Sequence, residues 1–344
     1  MRMTDIKSLT PGELRLYLES FHMPRYRADQ IFRWIHVQLA RNFDEMTNLP
    51  ATLRTGLRES FAWNTLRMED RQISALDGTQ KFLFALPDGN FVESVFMRYR
   101  FGNSVCISSQ VGCRMGCRFC ASTLNGWERN LAASEMLEQI YEIRRITGEK
   151  ISHVVVMGTG EPLDNYDNLV RFLRLLCCEE GMNLSQRSIT VSTCGIVPRI
   201  RKLAREGLQI TLALSLHAVT DERRREIMPV AETYTIEETM SALRFYYETT
   251  GRQVTFEYTL IRGVNDSVSD AEGLSALALS LRAHVNLIPV NPVKERGYVE
   301  TGAEAVQAFK NRLEKSGVNV TIRREMGRDI DGACGQLRRR HILS

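Results

Sequence analysis

From residue 103 onward, short apolar runs alternate with longer segments in which apolar residues recur at helical spacing. In the first of these longer segments, Met136, Leu137, Ile140 and Ile143 share one face of a helix. Strands that alternate with helices predict parallel pairing through right-handed crossovers, in a doubly wound sheet or in a barrel. The predicted strands are residues 104–109, 152–157, 187–192, 209–216, 253–261 and 284–290. Because six repeats are fewer than the eight of a closed barrel, we expect an α/β fold of the incomplete (β/α)6 barrel type, with its reactive edge at the C-terminal ends of the strands.

The chain before residue 103 has two other patterns. Ile31, Phe32 and Ile35 recur at helical spacing, which predicts short helices. Alternating apolar positions in 81–84 and 92–96 flank a Pro-Asp-Gly-Asn turn and predict a β-hairpin. The expected divisions are an N-terminal helical accessory domain at 1–62, a β-hairpin extension at 63–102, the barrel at 103–322 and a C-terminal segment at 323–344.

Length and composition place the chain among ordinary globular proteins. Its 344 residues suffice for about two domains at roughly 150 residues each. Hydrophobic residues make up 43% and charged residues 25%, which excludes a disordered, collagen-like or coiled-coil chain. No apolar stretch approaches the ~18 residues that cross a bilayer, and the first residues lack the apolar region of an export signal. We therefore expect a cytoplasmic protein with no membrane partner.

The net charge of +4 is too small to indicate nucleic-acid binding by itself, but arginines are concentrated near the C-terminus. Such a cluster can bind a phosphate backbone, or it can form a solvated tail that keeps the protein soluble. Composition alone leaves both interpretations open. The arginines are Arg323, Arg324, Arg328, Arg338, Arg339 and Arg340.

The eight cysteines are too sparse for a disulfide scaffold, and a reducing cytosol keeps them as thiols unless they bind metal or act in catalysis. Cys113, Cys117 and Cys120 lie in a glycine-containing loop that follows the first predicted strand of the barrel. A structural zinc site needs four protein ligands, and no fourth Cys or His has suitable local spacing. Three thiolates match a [4Fe–4S] cluster with one open iron, although such a spacing can also occur by chance.

The order Cys-x3-Cys-x-Phe-Cys after the first strand resembles the signature of the radical S-adenosylmethionine (SAM) enzymes. The Gly-Thr-Gly-Glu-Pro run at 158–162, after the second strand, is similar to the glycine-rich motif of that superfamily. The resemblance implies an incomplete (β/α)6 barrel, a [4Fe–4S] cluster on the three loop cysteines, and a SAM amino group bound by Gly160 and Glu161. It also implies that the reduced cluster splits SAM into a 5′-deoxyadenosyl radical.

The C-terminal run Asp-Ile-Asp-Gly-Ala-Cys-Gly-Gln-Leu at 329–337 resembles the ending of the RlmN/Cfr family of radical SAM RNA methyltransferases. Further matches surround Glu93 and Cys106 and include the Asn-Leu-Ile-Pro-Val-Asn-Pro run at 286–292. Gly-Glu-Pro and Asn-Leu-Ile-Pro resemble the members that methylate adenine C2, because the C8 enzymes have Gly-Glu-Ala and Asn-Leu-Ile-Arg there. The resemblance extends from about residue 80 to residue 337.

This resemblance implies a catalytic role for residues outside the cysteine loop. One SAM methylates Cys334, and a second SAM supplies the radical that activates this methyl group, so that two SAM molecules are used per turnover. The resulting carbon radical adds to adenine C2, an electron-poor carbon with no lone pair for polar methylation. Cys106 then resolves the protein–RNA adduct through a transient disulfide with Cys334. Glu93 matches the position of the proton acceptor, although Cys106 could also take that proton, and a lone Cys on a strand is usually only a small buried hydrophobe.

The resemblance also implies contacts to the cofactor and a set of partners. The substrates would be adenosines of 23S rRNA, at the peptidyl-transferase centre, and of tRNA at position 37. An electron donor such as flavodoxin or ferredoxin would reduce the cluster, and the protein would act as a monomer. Cys194 stands where Ser is expected. The implied SAM contacts, each of which is unremarkable outside its motif, are Ser192, Ser215, Leu216, His217 and Asn291.

No RRM, KH or zinc-knuckle pattern is present, so an RNA surface formed by residues 1–62 and the basic C-terminal segment is a hypothesis. Arg25, Tyr26, Arg27, Arg33 and Trp34 mix charge with aromatic rings, as single-strand binding surfaces do, but a helix with a core face gives the same mixture. Three other functions stay open: a C8 methyltransferase, a radical activase of a protein partner, and a non-catalytic RNA-binding protein with a structural or redox-sensing cluster.

Overall fold

The computed structural model of the chain describes residues 3–291, 293, 295–324, 326–330 and 335–343. Cys334, the expected methyl carrier, lies outside the described residues. The helices are α1 (Pro11–Glu19), α2 (Tyr26–His36), α3 (Ala51–Ser60), α4 (Ala133–Thr147), α5 (Tyr166–Leu176), α6 (Val197–Ala204), α7 (Asp221–Ile227), α8 (Ile236–Thr250), α9 (Val268–Leu281), α10 (Ala303–Lys315) and α11 (Gln336–Leu343). The strands are β1 (Arg67–Ile73), β2 (Gln80–Ala85), β3 (Phe91–Tyr99), β4 (Gly102–Cys106), β5 (Gln110–Gly112), β6 (Trp127–Asn130), β7 (His153–Val156), β8 (Ile189–Thr193), β9 (Thr211–Ser215), β10 (Thr255–Leu260), β11 (His284–Pro289) and β12 (Val320–Ile322).

Ten strands form one continuous sheet in the order β1-β2-β3-β4-β7-β8-β9-β10-β11-β12. Strands β1 to β4 pair antiparallel, and the pairings from β4 to β12 are parallel. The six predicted barrel strands correspond to β4, β7, β8, β9, β10 and β11, which confirms the expected α/β fold. The predicted hairpin is β2 and β3, and because β3 pairs directly with β4, the hairpin and the barrel share one sheet.

The two outermost strands of this sheet are absent from the sequence expectations. Strand β1 is mostly charged and exposed, and its register shifts between Met68 and Asp70, so it has no apolar alternation to recognise. Charged, irregular strands of this kind protect the edge of a sheet from further pairing. Strand β12 has only three residues, which is too short for a periodic pattern. It extends the parallel part of the sheet beyond β11.

Side-chain alternation divides the residues of each parallel strand between two faces. In β9, Leu212 and Leu214 are fully buried in the main hydrophobic core. Ser215 of the same strand instead lines a cavity inside the partial barrel, as does Glu257 of β10. The sheet therefore carries apolar residues toward the helices and polar groups toward the barrel interior.

The N-terminal helices share their core with the barrel. Leu18 of α1 and Phe32 of α2 are buried in the same hydrophobic cluster as the apolar face of α4. Lys7 is buried and forms an ion pair with Glu138 of α4 at 3.0 Å. Removing residues 1–62 would thus expose apolar and charged groups of the barrel, so RNA recognition by this domain is better tested with surface substitutions than by deletion.

Two further findings concern the predicted helices. Pro11 is the first residue of α1, a position where proline loses no hydrogen bond, and Thr10 and Glu13 form a capping box around it.

Within the described part of the chain, no helix is long and apolar enough to cross a membrane.

Candidate active site

A cavity of about 260 Å³ lies within the partial barrel, where the loops after the parallel strands meet. The cavity is lined by the cysteine loop, the glycine-rich loop and the ends of the later strands, as expected for a site at the C-terminal edge of a parallel sheet. The predicted site residues in its wall are Cys113, Cys117, Cys120, Gly160, Glu161, Ser192, Ser215, His217 and Asn291.

The cysteine loop is held in place by backbone and hydroxyl contacts. Gly112 has a φ of +74°, and a Cβ there would lie 2.0 Å from the carbonyl oxygen of Gly126, so only glycine fits. The single proton of the Thr123 hydroxyl is shared between the carbonyl oxygens of Cys117 and Cys120, which lie 3.2 and 3.0 Å from the hydroxyl oxygen. The Arg118 amide donates to the carbonyl oxygen of Ile227 in α7 at 2.9 Å. The loop is therefore preorganised by the protein.

The three thiols fit an iron–sulfur cluster by their chemistry. Burial raises the pKa of Cys113 to about 12 and raises that of Cys117 well above its usual value. A thiolate in such a place becomes favourable when a cation binds it. In a [4Fe–4S] cluster each thiolate binds a different iron, and three thiols leave one iron open. No group of three or more His, Cys, Asp or Glu side chains in the described ranges is arranged to hold a single metal ion.

The glycine-rich loop presents a buried carboxylate to the same cavity. The backbone amides of Leu163 and Cys194 donate hydrogen bonds to Glu161 at 3.0 and 2.8 Å. Burial raises the pKa of Glu161, and these hydrogen bonds act against that rise. Gly160 has a φ of +108°, and a Cβ there would lie 2.6 Å from the Cβ of Gln110 in β5, the strand that leads into the cysteine loop. The glycine-rich loop can therefore lie this close to β5 only with glycine at this position. The arrangement suits binding of an ammonium group by Glu161.

His217 is held as a neutral hydrogen-bond donor. Its Nδ1 accepts a hydrogen bond from the Thr259 amide at 3.0 Å. Burial and, secondly, the charge of Arg224 lower the pKa of His217 to about 3, so the ring stays neutral at physiological pH. Because Nδ1 is an acceptor, the single ring proton is assigned to Nε2. The ring also packs edge-on against Phe119 of the cysteine loop, with 4.9 Å between ring centroids.

The remaining predicted SAM contacts divide into two groups. Ser192 and Ser215 are neighbours in the cavity wall, with 3.2 Å between their hydroxyl oxygens. Asn291 lines the cavity from an exposed position. Leu216 is different: its side chain is buried in the hydrophobic core and is absent from the cavity wall, so a cofactor contact by this residue would have to come from its backbone.

Two more predicted residues stand outside the cavity wall. Cys106 is buried at the end of β4. Glu93 is buried in β3 and forms an ion pair with Lys81 of β2 at 3.1 Å. The Glu93 carboxylate also accepts hydrogen bonds from the backbone amides of Gly335 and Arg338, both at 2.6 Å. It therefore anchors the start of α11, the helix that follows Cys334 in the chain.

Gly335 links this anchor to the cysteine loop. It has a φ of +82°, and a Cβ there would lie 3.0 Å from the amide nitrogen of Ser122. Ser122 belongs to the single helical turn Ala121–Thr123 that directly follows Cys120. The first residue after Cys334 is thus fixed between the Glu93 carboxylate and the cluster loop.

Replacing Lys81 with methionine should release this anchor. Removal of one partner of a buried ion pair costs about 3–5 kcal/mol, because the other charge is left uncompensated. We expect the amides of residues 335–343 to exchange hydrogen much faster in the variant, as measured by mass spectrometry of the C-terminal peptide. Lys310→Met, which breaks the partly exposed pair with Glu314, is the control and should cost less than about 1 kcal/mol. Unchanged protection of the C-terminal peptide in the Lys81 variant would contradict the anchoring role.

The C-terminal arginines do not form one solvated cluster. Arg338 is buried, and Arg339 and Arg340 pair with Glu295 and Asp70 at 2.7 and 3.7 Å. The other three arginines line a second cavity of about 510 Å³, which shares Pro289 and one arginine with the wall of the first. These three are Arg323, Arg324 and Arg328. The solvated-tail interpretation is therefore wrong for the buried Arg338, whereas Arg340 is exposed.

Sequence analysis missed several residues of the cavity wall. Thr259, Glu257 and Arg323 come from β10 and from the end of β12, and Met115 and Phe119 come from the cysteine loop. Glu257 could have been found as the acidic residue within the apolar run 254–260. Cys194 lies in the wall as well, and burial raises its pKa well above the usual value, which disfavours extra thiol reactivity.

Comparison with known proteins places this site in a family. Residues 107–271 match the model of the radical SAM superfamily, and residues 4–62 match the model described as the ribosomal RNA large subunit methyltransferase N-terminal domain. The second match accounts for the helices that precede the sheet. The first match contains both the cysteine loop and the glycine-rich loop of the site.

Relatives of known name cover almost the whole chain. A probable dual-specificity RNA methyltransferase RlmN from Lachnospira eligens is 60% identical over 99% of this chain and 97% of its own length. One of the same name from Lachnoclostridium phytofermentans is 56% identical over 97% of this chain and 94% of its own length. The crystal structure of a radical SAM methyltransferase from Sphaerobacter thermophilus superposes with a TM-score of 0.91 at 44% identity, covering 97% of this chain and 98% of that one. The chain therefore belongs to the RlmN family of radical SAM methyltransferases.

Proposed function

We propose that this protein methylates C2 of adenosine in RNA, both in 23S rRNA at the peptidyl-transferase centre and in tRNA at position 37. The observation that carries the proposal is the convergence of three cysteine thiols, the Glu161 carboxylate and the His217 ring on one cavity. The close relatives that bear the name dual-specificity RNA methyltransferase support RNA as the substrate. We infer C2 and the two RNA classes from the sequence motifs.

The chain's own residues would bind and orient SAM. When bound to Cys113, Cys117 and Cys120, a [4Fe–4S] cluster supplies the electron that cleaves the sulfonium of SAM. Glu161 offers a carboxylate to the SAM ammonium, and the Nε2–H of His217 offers a donor to an oxygen or nitrogen of the nucleoside. An electron carrier such as flavodoxin or ferredoxin would reach this site from outside.

The carrier cysteine is required by the chemistry of the target carbon. Adenine C2 lies between two ring nitrogens and has no lone pair to attack a sulfonium, whereas a carbon radical can add to it. We propose that Cys334 carries the methyl group as a thioether, which one SAM would load and a second would activate. The adduct with the base would lose one electron, for which the oxidised cluster would be the acceptor, and the C2 proton. The Cys106 thiolate would then attack the sulfur of Cys334, so that the S–S bond forms, the S–C bond breaks and the carbon takes up a proton to become the methyl group. The position of Gly335 beside the cluster loop supports this assignment, because Gly335 directly follows Cys334 in the chain.

The contacts of Glu93 bear on which group takes the C2 proton. Its carboxylate already accepts hydrogen bonds from two backbone amides and pairs with a buried lysine. A fourth interaction with a substrate proton would compete with all three. We therefore propose that Glu93 acts mainly by positioning the C-terminal helix and that Cys106 takes the proton. The sequence motifs alone are compatible with either residue as the proton acceptor.

RNA binding is proposed for two surfaces. On the N-terminal domain, Arg25, Tyr26 and Arg33 are exposed, while Trp34 is half-buried and donates a hydrogen bond to Asn48 at 2.6 Å. The second surface is the cavity lined by the three arginines that precede α11, which adjoins the reaction cavity. The guanidinium groups that line it suit a phosphodiester backbone. A target base must leave its stack to enter the reaction cavity, and this second surface adjoins that cavity.

One assay tests the proposed function. Anaerobically prepared, cluster-loaded protein is incubated with SAM, a reductant and either a 23S rRNA fragment or a tRNA, and the nucleosides are separated by chromatography and mass spectrometry. We expect 2-methyladenosine from both RNAs. Formation of 8-methyladenosine would establish the C8 alternative, and an absence of both SAM cleavage and methylated nucleoside would favour a non-catalytic RNA-binding protein.

A further inference from the structure

Glu257 is a buried carboxylate in the cavity wall that the reaction scheme above does not use. It lies on β10, in register with Ser215 of β9 on one side and Asn286 of β11 on the other. The Asn286 side-chain amide donates a hydrogen bond to Glu257 Oε1 at 2.9 Å. Asn286 is itself held by the Thr321 hydroxyl, which donates to its Oδ1 at 2.5 Å. The carboxylate is therefore fixed in position by a row of polar groups across neighbouring strands.

The same carboxylate borders the space that a ligand would fill. Glu257 is 5% exposed and lines the reaction cavity. Burial penalises a carboxylate unless donors surround it, so a donor group on a molecule in the cavity would stabilise it.

Arg323 provides a cation in the same wall. Its backbone amide donates to the carbonyl oxygen of Leu287 at 2.8 Å, which fixes the residue at the end of β12. Its side chain lines the cavity, and its charge acts on Glu257 to lower the pKa of that carboxyl group, against the larger effect of burial. The wall thus contains both a hydrogen-bond acceptor and a guanidinium group.

This pair of groups matches one edge of one nucleobase. The Hoogsteen edge of adenine presents an amino donor at N6 and an acceptor at N7, whereas guanine presents two acceptors there. A carboxylate beside a guanidinium therefore favours adenine and disfavours guanine. On the purine ring, C2 lies on the side opposite the Hoogsteen edge. A base held by its Hoogsteen edge therefore keeps C2 free for reaction.

We propose that Glu257 and Arg323 bind the Hoogsteen edge of the target adenine, with the carboxylate accepting from the 6-amino group and the guanidinium donating to N7. This inference rests on the proposed function, because it assigns to the same cavity the base that is methylated. SAM contains an adenine with the same edge, so the test must separate the two sources.

The test compares synthetic RNA stem-loops that carry adenosine, purine riboside or 7-deazaadenosine at the target position. Purine riboside lacks the 6-amino group, and 7-deazaadenosine lacks N7. For wild type, we expect kcat/KM for methylation to fall by roughly tenfold to a hundredfold with each analogue. In Glu257→Met the preference for adenosine over purine riboside should shrink toward one, and Glu257→Gln, whose amide oxygen still accepts, should retain part of it. Wild type and each variant are compared on the same pair of RNAs. Any intrinsic difference in reactivity between adenosine and purine riboside therefore cancels.

Controls separate this inference from its alternatives. Glu206→Met removes a carboxylate that accepts from Tyr166 at 2.9 Å outside the cavity, and it should keep the wild-type preference. An equal preference in wild type and Glu257→Met would overturn the inference, as would a rise in the SAM dissociation constant of Glu257→Met that matches its loss of kcat/KM. Failure of wild type to methylate any of the RNAs would instead refute the proposed function. The comparison of analogues on wild type needs no variant to fold.

Discussion

Replacement of Cys117 by alanine should leave the protein without its iron–sulfur cluster and without SAM cleavage. Cys113, Cys117 and Cys120 lie on one loop around one cavity, and two thiols cannot replace three as ligands of a cluster with one open iron. We expect iron and sulfide contents near zero and the formation of 5′-deoxyadenosine at the level of a protein-free control. Both are measured on anaerobically reconstituted protein, by metal analysis and by chromatography.

Cys178→Ala is the matched control for this loss. Cys178 is half-buried after α5, and its thiol donates to Glu180 at 3.0 Å without lining the cavity. The control variant should bind iron as wild type does. If Cys117→Ala kept a full cluster and cleaved SAM, the cysteine loop would not be the cluster site, and the proposed function would lose its basis.

Replacement of Cys334 by alanine should separate SAM cleavage from RNA methylation. The cluster loop is intact in this variant, so reduced protein should still form 5′-deoxyadenosine. No methylated adenosine should appear, because the thioether that carries the methyl group is missing. Intact-mass analysis of protein expressed anaerobically should show one added methyl group in wild type and none in the variant.

Cys177→Ala serves as the second control, since burial raises the pKa of this thiol to about 12 and it lies outside the cavity wall. It should keep both the added methyl group and the activity. Methylation of RNA by Cys334→Ala, or active wild-type protein with an unmodified Cys334, would rule out the carrier role.

Sequence periodicity predicted the parallel half of the sheet well. Strands β7 and β9 are short and mainly apolar, and β8 alternates apolar with polar residues, because a strand buried under helices must be apolar on one face throughout. The edge strand β1 could not be predicted in this way, since an exposed edge carries charge and has no apolar alternation. The pairing of β3 with β4 could not be predicted either, because the pattern of a hairpin does not indicate which other strand pairs with it.

The residues of the candidate site also fall into those that the sequence predicts and those that it does not. The cysteines, Glu161 and His217 were found because each belongs to a short motif with a recognisable order. Lys81 and Glu257 were missed, since each is a single charged residue within an apolar strand and acquires its role only from partners distant in the chain. Lys81 pairs with Glu93, which holds α11, and the proposed role of Glu257 depends on Arg323, 66 positions later in the sequence. Contacts of this kind depend on the completed fold and leave no local pattern.

The bond between Glu93 and the Gly335 amide joins residues 242 positions apart. Domains generally fold from the N-terminus as the nascent chain leaves the ribosome. The cysteine loop and the strands that surround it can therefore form while Gly335 is still to be synthesised. A newly made molecule should thus acquire the means to bind its metal before its last segment docks, and translation that stops short of α11 should yield a protein that can generate radicals without the means to deliver them.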